Sequence, residues 1–159
     1  MNKAVFAGTF DPITIGHEKV IETASKMFDV LYVSLGVNPE KHPIFSTEIR
    51  LEMMKKVCEK YKNVEVVYHE GMLVDLMKEK GIIYTVRGVR NDSDYAYENK
   101  MHFVNKSLYP NIVTLFIPCD KDLALVSSTA VRNAVKNGED LSKYLSKEVI
   151  EIIRKNGIK

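Results

Sequence analysis

The sequence predicts an α/β fold: a single doubly wound parallel sheet of five strands with helices on both faces. Two observations carry this expectation. Short apolar runs alternate along the chain with segments whose apolar residues recur every three or four positions. The runs are also near-continuous, as strands buried on both faces require. At 159 residues the chain is one domain's worth, so residues 1–159 are read as one unit built around one sheet.

The elements follow in order. Lys3-Ala-Val-Phe-Ala-Gly8 is the first strand, an apolar run ended by glycine. From His17 onward, Val20, Ile21, Ala24, Met27 and Phe28 fall at helical spacing. Val30 to Gly36 is the second strand, and Pro39 and Pro43 break the chain after it into a loop. Ser46 caps a helix with Met54, Val57, Cys58 and Tyr61 on one face. The alternation then repeats, with a strand over Val64 to Val67, a helix over Met72 to Lys80 stopped by Gly81, and a strand over Ile82 to Val86. A longer helix spans Asp92 to Leu108, with Tyr97, Met101, Val104 and Leu108 expected as its core-facing stripe. Ile112 to Ile117 is the last strand. A helix capped near Ser128 ends at Asn137-Gly138, and Lys147 to Lys155 forms the last helix. This Rossmann-like order places ligands beyond the carboxyl ends of the strands, where the strand order switches.

Composition narrows the function classes. With 23 basic and 21 acidic residues, the formal charge of +2 leaves no polyanion footprint, so no nucleic-acid partner is expected. Cys58 and Cys119 are far apart and in no CxxC spacing, which suits free thiols in a reducing, cytoplasmic setting. The apolar run near the N-terminus stops at Gly8, too short for a signal-peptide core. Nothing approaches the roughly 20 apolar residues of a membrane span. His42, His69 and His102 share no metal-ligand spacing and are read as structural or surface residues; no protein metal site is expected.

Four segments carry chemistry, and each follows a strand. Gly8-Thr9-Phe10-Asp11-Pro12-Ile13-Thr14-Ile15-Gly16-His17 joins the first strand to the first helix. Glycine permits close backbone approach, and the helix start offers free N–H groups to a phosphate. By itself this segment reads equally well as a helix cap at Thr14 beside a satisfied His17. Lys41 lies in the loop after the second strand, where a lone lysine is usually a solvated charge. Arg87-Gly88-Val89-Arg90 closes the fourth strand with two planar cationic forks suited to phosphate oxygens. Asp94 and Glu98, four apart on the next helix, share a face with each other and with Arg90. Val126-Ser127-Ser128-Thr129-Ala130-Val131-Arg132 opens a helix with hydroxyl residues, which cap it and can also face a phosphate.

Thr14-Ile15-Gly16-His17 resembles the [H/T]-x-G-H signature of the nucleotidylyltransferase superfamily. Val126 to Arg132 resembles its second signature, I-S-S-[ST]-x-[VIL]-[RK]. Arg87, Arg90, Asp94 and Glu98 are similar to the R-G-[LIV]-R block and D-x-x-x-E helix of the phosphopantetheine adenylyltransferase family. All four blocks stand in order across essentially the whole chain. One departure is Leu123-Ala124-Leu125, where the family commonly carries an aromatic.

The resemblance implies adenylyl transfer from ATP to 4′-phosphopantetheine, giving dephospho-coenzyme A and pyrophosphate, with Mg²⁺ accompanying ATP. It implies ATP contacts at Thr9, Phe10, Gly16, His17, Gly88, Arg90, Glu98 and Val126 to Thr129. It implies acceptor contacts at Thr9, Lys41, Met72, Leu73, Arg87 and Asn105. His17, Lys41, Thr9 and Arg90 are the expected catalytic residues. Hexamers of paired trimers and feedback binding of coenzyme A are likewise implied. The rival readings are transfer to nicotinate or nicotinamide mononucleotide, an aminoacyl-tRNA synthetase sharing the G-H element, and a non-catalytic nucleotide-binding module. The R-G-V-R block and chain length disfavour the first, and size with the absence of a lysine-rich second signature disfavours the synthetase. Retention of Thr9, His17, Lys41, Arg87 and Arg90 disfavours the module.

Overall fold

The computed structural model describes residues 1–37 and 42–157. Among them five strands form: β1 (Lys3–Gly8), β2 (Val30–Val37), β3 (Val64–Glu70), β4 (Tyr84–Val89) and β5 (Val113–Pro118). All pair in parallel, in the order β3-β2-β1-β4-β5, so the direction of winding reverses between β1 and β4. The helices are α1 (Ile15–Ser25), α2 (Thr47–Cys58), α3 (Leu73–Lys80), α4 (Asp92–Leu108), α5 (Ser128–Lys136) and α6 (Lys147–Lys155). A short 3₁₀ turn, Lys121–Leu123, precedes α5.

Period-two alternation on β1 divides the core. Ala4 and Phe6 face a cluster with Val20 and Ile21 of α1, Met53 and Met54 of α2, Val131 of α5 and Ile153 of α6. Val5 and Ala7 face the other cluster, with Val74 and Met77 of α3, Ile82 and Ile112. Both faces of the sheet are therefore covered by helices, as the continuous apolar runs require.

The pairing at the switch point is uneven. β1 pairs with β2 along its whole length, to Gly8 opposite Leu35, but with β4 only at Ala4 and Val5. Beyond that register the carboxyl ends of β1 and β4 separate, and the gap becomes the floor of the site. The close packing of α1 beneath it fixes Gly88, because a Cβ there would lie 2.9 Å from Val20 Cγ2. Gly88→Ala is expected to lower the unfolding free energy by about 1–3 kcal/mol through overpacking. Urea denaturation checks this, and unchanged stability would mean that α1 yields freely.

Some elements differ from expectation. Gly81 takes a left-handed conformation at φ 68° and the Ile82 N–H bonds Met77 O at 2.8 Å. Ile82 thus ends α3 in a Schellman arrangement, and β4 begins two residues later. α1 starts at Ile15 and stops at Ser25, short of Met27 and Phe28. The expected core stripe of α4 is the clearest correction. No α4 residue is buried, and Tyr97, Val104 and Leu108 are 62%, 45% and 41% exposed. Instead Tyr97, Glu98, Met101, His102, Val104 and Asn105 wall a cavity. A helix that lines a cleft has the same periodicity as one that closes a core, so spacing alone could not separate them.

Candidate active site

Two cavities open above the carboxyl ends of β1 and β4. One, of about 470 Å³, lies toward α3 and α4. The other, of about 340 Å³, lies toward the starts of α1 and α5. Ala7, Gly8, Thr9, Arg87 and Glu98 line both, so they form the junction.

The junction is built from the splayed strands. Where β4 no longer pairs with β1, the Arg87 Nη1 donates to the Ala7 carbonyl, replacing a lost ladder bond. Its Nε and Nη2 donate to Glu98 Oε2 and Oε1 at 2.8 Å each, a bidentate pair from β4 to α4. Three of the guanidinium's five N–H groups are thereby committed and two remain for an anion at the junction. Arg90 pairs separately: its Nε donates to Asp94 Oδ2 at 2.9 Å, and its backbone N–H to the same oxygen at 3.1 Å. Asp94 and Glu98 thus serve different arginines, a division their spacing on one helix face did not reveal.

His17 sits at the start of α1 in a capping box. The Thr14 N–H donates to His17 Nδ1 at 2.9 Å, and Thr14 Oγ1 accepts from the His17 N–H at 3.3 Å. A ring nitrogen that accepts carries no proton, so neutral His17 holds its hydrogen on Nε2. Burial, then the charges of Arg87 and Arg90, lower its pKa from 6.5 to about 4. The ring is therefore neutral at pH 7 and offers the cavity a hydrogen-bond donor. Phe10, in the left-handed region at φ 41°, places its ring edge-on to His17 with centroids 5.0 Å apart. A bulky residue held there is strained, and such strain is typical of sites where position matters more than stability.

The lowered pKa has a consequence for stability. Between pH 6.5 and about 4 the unfolded chain binds the His17 proton and the folded chain does not. This contribution is therefore fully present above pH 6.5 and is lost as pH falls. Urea unfolding at pH 7 and pH 4.5 should show a loss of about 2–3 kcal/mol that His17→Asn lacks. Identical pH dependence in the two proteins would contradict a neutral, buried His17.

The segment between β1 and α1 is held from both sides. Asp11 accepts from the Ile44 and Phe45 N–H groups at 2.9 and 3.0 Å, Arg132 donates to Asp11 O at 3.1 Å, and Arg50 donates to Thr9 O at 2.9 Å. At the start of α5, Ser127 Oγ accepts from the Ala130 N–H and Ser128 Oγ donates to Pro12 O, both near 3 Å. Thr129 Oγ1 accepts from Arg132 at 3.0 Å. These hydroxyls cap and staple, and with the Ala130 N–H taken by Ser127 the Ser128 and Thr129 N–H groups are the donors left for an anion.

The second cavity gathers Thr9, Phe10, Gly16, His17, Gly88, Arg90, Glu98, Val126, Ser127, Ser128 and Thr129. The first gathers Thr9, Met72, Leu73, Arg87 and Asn105. Lys41 lies outside the described residues. Sequence reasoning did not single out Arg50, which holds Thr9 O, and took Arg132 only as the end of the second signature, without its bond to Asp11 O. His69 and His102, read as structural or surface residues, line the first cavity. Among the described residues no group of three or more His, Cys, Asp or Glu side chains is placed to hold a metal ion. No described helix is long and apolar enough to cross a membrane.

Comparison with known proteins identifies relatives across almost the whole chain. A cytidylyltransferase-like family profile matches residues 5–134. A phosphopantetheine adenylyltransferase of Clostridium botulinum strain Hall is 42% identical over 155 residues, covering 98% of this chain and 94% of that protein. One from Nitrosomonas eutropha is 37% identical over 158 residues, covering 99% and 96%. A crystal structure from Vibrio parahaemolyticus, described as a candidate nicotinate-nucleotide adenylyltransferase, superposes with a TM-score of 0.71. It covers 99% of this chain and 95% of its own at 21% identity, a likeness of fold. With sequence matches of this extent, the chain belongs to the phosphopantetheine adenylyltransferase family, within the cytidylyltransferase-like nucleotidyltransferases.

Proposed function

We propose that this enzyme transfers the adenylyl group of MgATP to 4′-phosphopantetheine, releasing pyrophosphate and forming dephospho-coenzyme A in coenzyme A biosynthesis. The observation that carries the reading is the pair of cavities meeting at Thr9, Arg87 and Glu98. A two-substrate transfer needs two anions brought together at one point, and this junction supplies cationic and N–H donors there.

In this reading ATP occupies the cavity of His17, Arg90 and the α5 N-terminus, and the acceptor's arm occupies that of Met72, Leu73 and Asn105. Thr9, His17 and Lys41 hold the α-phosphate against the acceptor phosphate, while Arg87 faces mainly the acceptor. Glu98 orients Arg87 and organises the ATP side. The acceptor phosphate is already an anion, so its oxygen attacks the α-phosphorus directly and the bond to the β,γ-pyrophosphate breaks. No protein nucleophile or strong base is needed, and catalysis rests on positioning and on donors aimed where charge develops. Mg²⁺ belongs to the nucleotide substrate in this scheme, where it neutralises phosphate charge.

The working setting is the cytoplasm, the assembly a hexamer of paired trimers, and coenzyme A a feedback ligand. Exposed Phe103, Val104 and Leu108 on α4 support contact between copies. Light scattering at micromolar protein tests the assembly by its mass. Pyrophosphate release with 4′-phosphopantetheine, nicotinate mononucleotide and nicotinamide mononucleotide, each with MgATP, tests the acceptor. Release with 4′-phosphopantetheine alone is expected; release with a mononucleotide alone would overturn the acceptor assignment and keep the chemistry.

A further inference from the structure

The first cavity holds a polar device that adenylyl transfer does not use. Its wall beyond the junction is mostly apolar, formed by Met72, Leu73, Met101 and Val104. Against it stands the ring of His69, at the end of β3. Ser34, fully buried on β2, fixes that ring through a 2.5 Å hydrogen bond between its Oγ and His69 Nδ1. The ring lies over Gly36, which is opposite His69 in the parallel register. A Cβ at Gly36 would approach His69 Cε1 and Nε2 to 3.1 and 3.3 Å, so the missing side chain makes the ring's seat. With Nδ1 taken, Nε2 is the ring's remaining polar atom, and among the described residues it has no partner.

We propose that His69 is a specificity-determining residue for the acceptor: fixed by Ser34 over Gly36, it hydrogen-bonds an amide of the acceptor's arm. A few fixed polar groups in a mostly apolar pocket are the usual means of selecting one ligand orientation. An amide offers both a carbonyl and an N–H, so it matches Nε2 in either ring tautomer. The inference rests on the acceptor reading above. His69 lines the first cavity and not the second, so its contact is to the acceptor's arm and should be made equally in ground and transition states. Such uniform binding acts on KM and leaves kcat alone.

Steady-state kinetics of His69→Phe, His69→Gln and Ser34→Ala test it. Phenylalanine fits the seat without the ring nitrogens; KM for 4′-phosphopantetheine should rise about 5- to 10-fold, the weight of one neutral hydrogen bond. The KM for MgATP and kcat should stay within about twofold. Glutamine, which keeps an amide donor and acceptor, should recover much of the loss, and Ser34→Ala should show a smaller rise. Acceptor KM unchanged in His69→Phe, or equal changes for both substrates, overturns the inference while leaving adenylyl transfer intact. Absence of turnover by the wild-type enzyme overturns the acceptor reading and this inference with it.

Discussion

His17→Ala is expected to slow single-turnover adenylyl transfer by about 100- to 1,000-fold, the usual cost of removing a donor aimed at developing charge. Affinity for MgATP should fall by less than about fivefold. The asymmetry follows from the ring's state. Because Nδ1 accepts the Thr14 N–H and the pKa lies at about 4, Nε2–H is a neutral donor throughout the physiological range. In the proposed site, where Arg90 and Mg²⁺ would already counter the anion, a neutral donor adds little to ground-state binding. It gains strength as the α-phosphate accumulates charge in the transition state. The rate should also show no inflection from His17 between pH 5 and 8. Equal losses in rate and in ATP affinity would remove His17 from its catalytic role.

Arg87→Ala is the second large effect. Acceptor kcat/KM should fall by about 100- to 1,000-fold, because the guanidinium donors vanish from the junction where the proposed reaction brings both phosphates together. Stability should fall too, since Glu98, with a side chain only 12% exposed, loses its bidentate partner. The two effects separate in a double-mutant cycle. Adding Glu98→Ala removes the uncompensated carboxylate and should restore much of the stability without restoring activity. Arg87→Lys should recover charge but little rate, as an ammonium cannot bridge Glu98, Ala7 and a phosphate together. If the double variant recovered activity with stability, Arg87 would be structural and the acceptor phosphate would bind elsewhere.

Local chemistry in the sequence made part of this site legible. The β1–α1 junction and the start of α5 could be read because their turns, caps and glycines occupy contiguous residues. The fold class was legible for a similar reason, since buried strands and amphipathic helices have different periods. What escaped depends on long-range pairing. Nothing in Lys3 to Gly8 or Tyr84 to Val89 states that β1 and β4 pair only at Ala4 and Val5 and then part. The opening of the site and the use of Arg87 as a substitute ladder donor follow from that. His69 and Ser34 lie 35 residues apart and meet only through the β2–β3 register. The stripe on α4 had the right period but the wrong partner, facing a cleft where a core was expected.

The most direct measurement is a single-turnover reaction with ATP labelled at the α-phosphorus, quenched at intervals, with label followed in nucleotide, product and protein. The label is predicted to pass from ATP into dephospho-coenzyme A in one step, with none on the protein at any time. Label appearing first on the protein, or leaving ATP only when a mononucleotide is supplied, would contradict direct transfer between the two cavities.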